Sequence, residues 1–222
     1  MFRPTSILDP FNMLRSDDTP SERLAVLPHF RDQFPTFRPS EILELETLIN
    51  DRNVNEADLQ GFLERHTHFF RSWDYREVYP QVFLTREEDG DLIPDFILLD
   101  PDLQKSMILD LKLPTKKIVV GTKNRKRYSA PVFEARTQLL RDRDWFEESR
   151  NREKIKEEFG IEVYRPRLAV VIGRKAHFEN EFQRQQLRSD QDDIDVVTYD
   201  DILEQAKRRL ILIESSRREG LT

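Results

Sequence analysis

"ILDLKLP", residues 108–114, sets a carboxylate and an ammonium two residues apart inside an apolar run. Ile108, Leu109, Leu111 and Leu113 read as a strand that requires burial, and Asp110 and Lys112 interrupt it. A buried charge is costly unless it is paired, hydrogen-bonded or bound to a metal. Side chains on a strand alternate faces, so Asp110 and Lys112 share one face while Leu109, Leu111 and Leu113 share the other. Asp110-x-Lys112 is the only carboxylate-x-lysine triplet in the chain. Taken alone, it reads as an ion pair on a half-exposed sheet face.

The sequence around this strand changes that reading. "EVYPQVFL" (77–84), "DLIPDFILLD" (91–100) and "KSMILDLKL" (105–113) are strand-like runs separated by turn signals, Asp89-Gly90 and Asp100-Pro101-Asp102. They predict an antiparallel meander. If 91–100 and 105–113 pair through the second turn, the start of one lies beside the end of the other, and Asp95 of Pro94-Asp95 comes close to Asp110 and Lys112. Two carboxylates converging at one end of a sheet suit a hard divalent cation, since Mg²⁺ prefers oxygen ligands and retains several waters. A lysine beside that cation stabilises developing phosphate charge or helps to deprotonate water.

Upstream, "NEADLQGFLERHTHFF" offers Asn55 as a helix cap and Leu59, Phe62 and Leu63 at helical spacing. Glu56 lies three residues before Leu59 and seven before Leu63, on the same helical face. Two readings stand: a solvated glutamate in the first turn, where the helix dipole favours it, or a further acid aimed at the site. Downstream, Pro131 to Phe159 reads as one long helix with Gly160 past its end. "RLAVVIG" (167–173) reads as a buried strand, 176–190 as a helix, "DVVTY" (195–199) as a strand, and 200–215 as a closing amphipathic helix with Asp200 or Asp201 as cap. A meander followed by strand–helix alternation predicts an α/β fold with a mixed central sheet flanked by helices. Residues 1–50 form a separate proline-rich arm: six of the twelve prolines fall before residue 40, leaving room for a short helix after Ser40. The main domain spans 51–222.

Composition narrows the class further. Cysteine is absent, which excludes a disulfide framework and thiolate-ligated zinc or iron–sulfur sites. The first residues lack a basic start followed by an apolar stretch, and no run approaches about 18 apolar residues, so the expectation is a soluble cytoplasmic protein without a membrane partner. Net charge is −6, yet from Lys112 to Arg127 the chain has seven basic residues (Lys112, Lys116, Lys117, Lys123, Arg125, Lys126 and Arg127) and no acidic one. Such an arc on an acidic protein is either a solvated loop or a docking surface for a polyanion. His66 and His68, at i, i+2 near a helix end, do not make a convincing ligand spacing and read as packing or surface groups. Trp73 and Trp145 read as core or interface residues.

Pro94-Asp95 and Asp110-x-Lys112 on adjacent strands, preceded by a helix bearing Glu56, resemble the PD-(D/E)xK nuclease superfamily, whose restriction-endonuclease-like core is αβββαβ. More narrowly, "NEADLQGFLERHTHFF", "IPDFILLD", "ILDLKLP", "EARTQLL", "RPRLAVVIGR" and "VVTYDDILEQAKRRL" resemble the nuclease domain of the Shedu anti-phage defence proteins over about 53–214. The resemblance implies a metal-dependent DNA endonuclease. Asp95 and Asp110 would be ligands to Mg²⁺, with Mn²⁺ as a substitute, and Glu56 an auxiliary acid and further ligand. Lys112 would activate water or offset charge. Lys116, Lys117, Lys123, Arg125, Lys126 and Arg127 would grip the DNA backbone, with Arg136, Arg141 and Arg143 extending the grip. Gln138 matches a glutamine found on the following helix in many relatives, but Asp142 stands where a tyrosine would follow, which puts its role in doubt. The resemblance also implies a homo-oligomer, and the arm with Phe2, Phe11, Phe30, Phe34 and Phe37 would either serve assembly or fold back on the domain. Two competing readings are a catalytically silent DNA-binding or assembly module on the same fold, and a superfamily nuclease for repair or restriction.

Overall fold

The computed structural model describes residues 37–71, 75–85, 92–100, 102, 104–122 and 125–218. Two helices come first, α1 (Pro39–Asn50) and α2 (Glu56–Arg65), followed by a 3₁₀ turn (Thr67–Phe69). Strands β1 (Glu77–Pro80), β2 (Phe96–Asp100) and β3 (Lys105–Leu111) lead to the pair β4 (Val119–Thr122) and β5 (Arg125–Tyr128). Then come α3 (Ala130–Trp145), α4 (Ser149–Phe159), β6 (Arg167–Val171), α5 (Glu181–Asp190), β7 (Asp195–Val197) and α6 (Tyr199–Arg218). The central sheet has the order β1-β2-β3-β6-β7. β1, β2 and β3 are the expected antiparallel meander, and β3, β6 and β7 are parallel. The fold is therefore α/β with a mixed sheet flanked by helices, consistent with a restriction-endonuclease-like core. Among the described residues no helix is long and apolar enough to cross a membrane.

Both faces of the sheet are covered. Met107, Leu109 and Leu111 pack with Phe96, Leu98, Ala169 and Val171 against α1, α2 and α6, whose Leu45, Leu59, Phe62, Leu63 and Ile202 are buried there. Ile108 lies on the other face with Ile97, Leu99, Leu168 and Val170 under Val132, Ala135 and Leu139 of α3. β3 is thus buried from Ser106 onward, and the half-exposed face on which an isolated ion pair would sit does not exist. The arm helix shares this core: Ile42, Leu45 and Ile49 of α1 are buried, and so is Phe37, whose ring meets His68 and Phe69 edge-on or tilted at 5.0 and 4.9 Å. Phe37 folds back on the domain, while Phe2, Phe11, Phe30 and Phe34, like Trp73 and Asp89-Gly90, lie outside the described residues.

Several elements are shorter or more broken than the sequence predicts, each for a local reason. β1 ends at Pro80, which has no N–H to continue a ladder, and Gln81 adopts φ 45°; beyond it the Gln81 N–H donates to the Asp95 carbonyl at 3.0 Å and a bridge joins Leu84 to Leu92. The single helix expected over 131–159 is two. Trp145 and Phe146 are consecutive, both buried, and packed edge-to-face at 5.0 Å, so the chain must turn to bury both. The carbonyls freed there are bonded by Asn151 and Arg152 side chains. Asn55 caps α2 as expected, accepting the Asp58 N–H at 2.9 Å. The cap of α6 is Thr198 rather than Asp200 or Asp201: its Oγ1 accepts the Asp201 N–H at 3.2 Å, while Asp201 Oδ2 accepts the Thr198 N–H at 2.9 Å. The basic arc is no simple loop, because β4 and β5 form a hairpin within it. Gly121 in β4 has φ +112°, and a Cβ there would stand 2.1 Å from the Arg125 carbonyl oxygen, so only glycine fits.

Candidate active site

Strand register builds the acid pair. Phe96 stands opposite Leu109 and Ile97 opposite Ile108, so one further step puts Asp95, at a bend just before β2, opposite Asp110. Asp95 Oδ2 accepts the Leu111 N–H at 2.5 Å, which locks the carboxylate across the strand end. Lys112 follows β3 and is held by its own N–H, which donates to the Val171 carbonyl at 2.9 Å. Its Nζ donates to Asp110 Oδ1 at 3.0 Å and lies 2.8 Å from Oδ2. Asp110 is only 3% exposed, so the Lys112 ammonium is held against a buried carboxylate.

The electrostatics describe a site short of positive charge. Burial pushes the Asp95 carboxyl up to about 6; the Leu111 N–H and Lys112 oppose this, while Asp110 and Glu56 add to it. Asp110 is also raised, by burial first and by Glu56, against the pull of Lys112. Burial works to lower the Lys112 value, but Asp110, Glu56 and Asp95 together hold it above the usual lysine range. One ammonium thus faces three carboxylates. Glu56 is the first residue of α2, and it is exposed rather than packed with Leu59 and Leu63. Its charge is nevertheless felt by Asp95, Asp110 and Lys112, which makes it an outer acid of the same cluster.

Two residues of this site escaped the sequence reading. Gln60, one turn after Glu56, is buried and donates from Nε2 to the Asp95 carbonyl at 3.3 Å and to Glu64 at 2.9 Å. A glutamine inside an apolar helical stripe was the available signal. Tyr199 is fully buried with a hydroxyl that has no hydrogen-bond partner among the described residues. Burial and the charges of Glu56, Asp95 and Asp110 drive its phenol well above its usual range.

A divalent cation fits this donor set. All the available donors are carboxylate oxygens, the hard ligands that Mg²⁺ and Mn²⁺ take. Asp95, raised first by its burial and further by Asp110 and Glu56, is a carboxylate whose charged form a bound cation would stabilise.

The basic residues are distributed unevenly. Lys116, Lys117, Arg125 and Arg127 are exposed; Lys123 lies outside the described residues. Lys126 is half-buried and pairs with Glu179 at 2.8 Å. Arg136 is engaged by Asp193 through two hydrogen bonds. Gln138 is exposed on α3 and lines a groove with Arg127, Tyr128, Arg141 and Asp142, a groove to which none of the three acids contributes.

A second cluster lies at the other end of α2. His66, which caps that helix, and His68 of the 3₁₀ turn meet Glu41 from the first turn of α1, and one ligand atom from each lies within 4.8 Å of the others. The spacing of His66 and His68 conceals this, because the third member is 25 residues upstream on another helix. The structure thus contains an acidic/histidine group able to hold a metal, distinct from the carboxylate site.

No curated protein matches the chain. The family model of Shedu protein SduA, C-terminal, matches residues 53–203, from the residues just ahead of α2 to the second turn of α6, and so takes in Glu56, Asp95, Asp110, Lys112 and Tyr199. Both the sequence motifs and this match lead to one conclusion: the chain belongs to the Shedu family.

Proposed function

We propose that this protein is a divalent-metal-dependent DNA endonuclease of the PD-(D/E)xK type, working in the cytoplasm in anti-phage defence. The observation that carries the reading is the convergence of Asp95, Asp110 and Lys112 at one sheet end, where one ammonium stands beside two carboxylates. The family membership supports the defence setting.

Asp95 and Asp110 would hold the cation, with Glu56 reaching it from α2. Bound there, Mg²⁺ or Mn²⁺ supplies Lewis acidity to a phosphodiester oxygen and makes a water a better nucleophile. The Lys112 ammonium offsets charge that develops on the phosphate. Gln60 holds the Asp95 backbone, so that the carboxylate is placed from both sides. Exposed Lys116, Lys117, Arg125 and Arg127 engage the phosphate backbone, which gives affinity without sequence information. The Lys112–Asp110 contact also favours a second reading, a silent DNA-binding module in which the pair is purely structural.

Plasmid nicking in Mg²⁺ or in EDTA separates the two. The wild type should nick only with the metal, and Lys112→Ala should lose the activity while remaining folded in EDTA, as read by circular dichroism. Metal-dependent cleavage unchanged in Lys112→Ala would sink the mechanism; DNA binding without cleavage in either Mg²⁺ or Mn²⁺ would establish the silent module. Protection against phage, lost with the same substitution, tests the defence role.

A further inference from the structure

We infer that Glu41, His66 and His68 form a second metal site, selective for a zinc-class transition ion, that fastens α1 onto the domain.

The geometry points to a cation rather than to a self-sufficient polar contact. One carboxylate faces two imidazoles. His68 Nε2 lies 3.1 Å from Glu41 Oε2 and makes a hydrogen bond. His66 Nδ1 faces Glu41 Oε1 at 3.8 Å, beyond hydrogen-bond reach. Zn²⁺ bonds of about 2.0–2.2 Å place tetrahedral ligand atoms roughly 3.3 Å apart. The His68–Glu41 separation of 3.1 Å is already near that value, and the three ligand atoms, all within 4.8 Å of one another, reach it by small side-chain rotations. Two imidazoles and a carboxylate with an open fourth position are a donor set suited to zinc and unsuited to Mg²⁺.

The surroundings hold the donors in place. The Arg38 N–H donates to Glu41 Oε2 at 3.0 Å, which orients the carboxylate and leaves Oε1 toward His66; such outer partners fix ligands at metal sites. His66 packs on Phe62 at 4.6 Å, and His68 on Phe37 and Phe69 at 5.0 and 5.1 Å. The three side chains keep 14–20% of their surface open, enough for an ion to enter from the edge. The opposing influence is the positive charge of Arg38 and Arg71. The Arg38 side chain is 80% exposed and can turn into solvent.

The ion would bridge the first turn of α1 to the far end of α2, joining two segments that lie 25 residues apart. A ligand that binds only the folded form stabilises it by mass action. The proposal does not depend on the nuclease reading, because the acids of that site lie at the opposite end of α2.

The test uses the full chain stripped of metal. Added Zn²⁺ should bind at one equivalent in competition with a chromogenic chelator. Co²⁺ should show the visible ligand-field bands of a tetrahedral site. Free Zn²⁺ at about a hundred times its dissociation constant should raise the melting temperature by about 5–10 °C. All three signals should persist in Asp110→Asn and vanish in His68→Gln, which retains a donor for Glu41 and so preserves the metal-free fold. His66→Ala should weaken binding at least about tenfold, the loss expected for a missing ligand or its close support. Absence of stoichiometric Zn²⁺ binding overturns the proposal, as does binding that survives in His68→Gln or disappears in Asp110→Asn.

Discussion

At its first residue α2 carries Glu56, whose charge is felt by two aspartates and a lysine; about 15 Å further along the same helix, its capping residue His66 meets His68 and Glu41. The first end offers carboxylate oxygens and an ammonium, set at a strand end with Glu56 exposed beside them. The second offers imidazoles on a short turn, ringed by phenylalanines and open at the edge. What distinguishes them is how the donors are held. Asp95 and Asp110 are placed by backbone register, a constraint shared by every residue of the hairpin. Glu41, His66 and His68 are placed by packing between separate elements.

The largest effect expected from this comparison is on catalysis. Asp110→Asn should reduce Mg²⁺-dependent plasmid cleavage at least about a hundredfold, a loss of several kcal/mol of transition-state stabilisation, whereas His68→Gln should leave the cleavage rate intact. Equal losses in both variants, measured as initial nicking rates, would erase the functional distinction between the two ends.

Next comes the response of the metal-free protein to pH, where the two ends have opposite signs. Asp95 in the folded state titrates at about 6, above its unfolded value. Its favourable contribution is complete below the unfolded carboxylate range and is lost as pH rises through about 6, a loss on the order of 3 kcal/mol by linkage. Burial holds the His68 value below the ordinary histidine range, although Glu41 pulls the other way. Its contribution is complete above the unfolded histidine value, near 6.5, and is lost as pH falls through the folded one. Denaturant unfolding in EDTA across pH 4–8 should therefore show Asp95→Asn reducing the decline toward neutral pH, to which the raised Asp110 also contributes, and His68→Gln softening the decline toward acid. An unchanged pH profile in Asp95→Asn would contradict the placement of its carboxyl in a crowded acid pair.

The smallest effects concern the basic arc. Lys116→Ala and Arg127→Ala, both at exposed positions, should each lower the salt slope of DNA binding by about one. Lys126→Ala should change it less, because that ammonium is already paired with Glu179. Affinities measured over a salt series without divalent ions decide this, and equal slopes for the three variants would remove the arc from the binding surface.

Much of the acid end was legible in the sequence because it depends on alternation and register. Residues 108–113 announce a buried strand, and two turn-linked runs determine which residues face each other, so Asp95 could be placed beside Asp110 before any coordinates. Glu56 was legible as a helix-start acid, though not its exposure. Gln60 and Tyr199 were missed because their contribution is a single polar atom on an otherwise apolar surface. The hairpin β4–β5 was hidden by its composition: "RKRY" carries no apolar alternation, and β4 contains a glycine, Gly121, whose φ no other residue adopts easily. The break between α3 and α4 was hidden because Trp145 and Phe146 each fit the helical pattern, and only the demand to bury both turns the chain. The His66–His68–Glu41 group was illegible because its third member depends on how α1 docks.

The meander has one more consequence, for the order in which the site can be assembled. Asp95 and Asp110 meet through a contact between near neighbours in the chain, closed by the short β2–β3 connection. Lys112 is fixed by its N–H to Val171, a contact that waits for β6 to return alongside β3 after two intervening helices. Loop closure costs more for longer loops, although only logarithmically, and non-local pairing is the slower event. The two carboxylates therefore come together on the cheap side of the topology, and the ammonium that offsets their charge is fixed in position only once the parallel half of the sheet has closed.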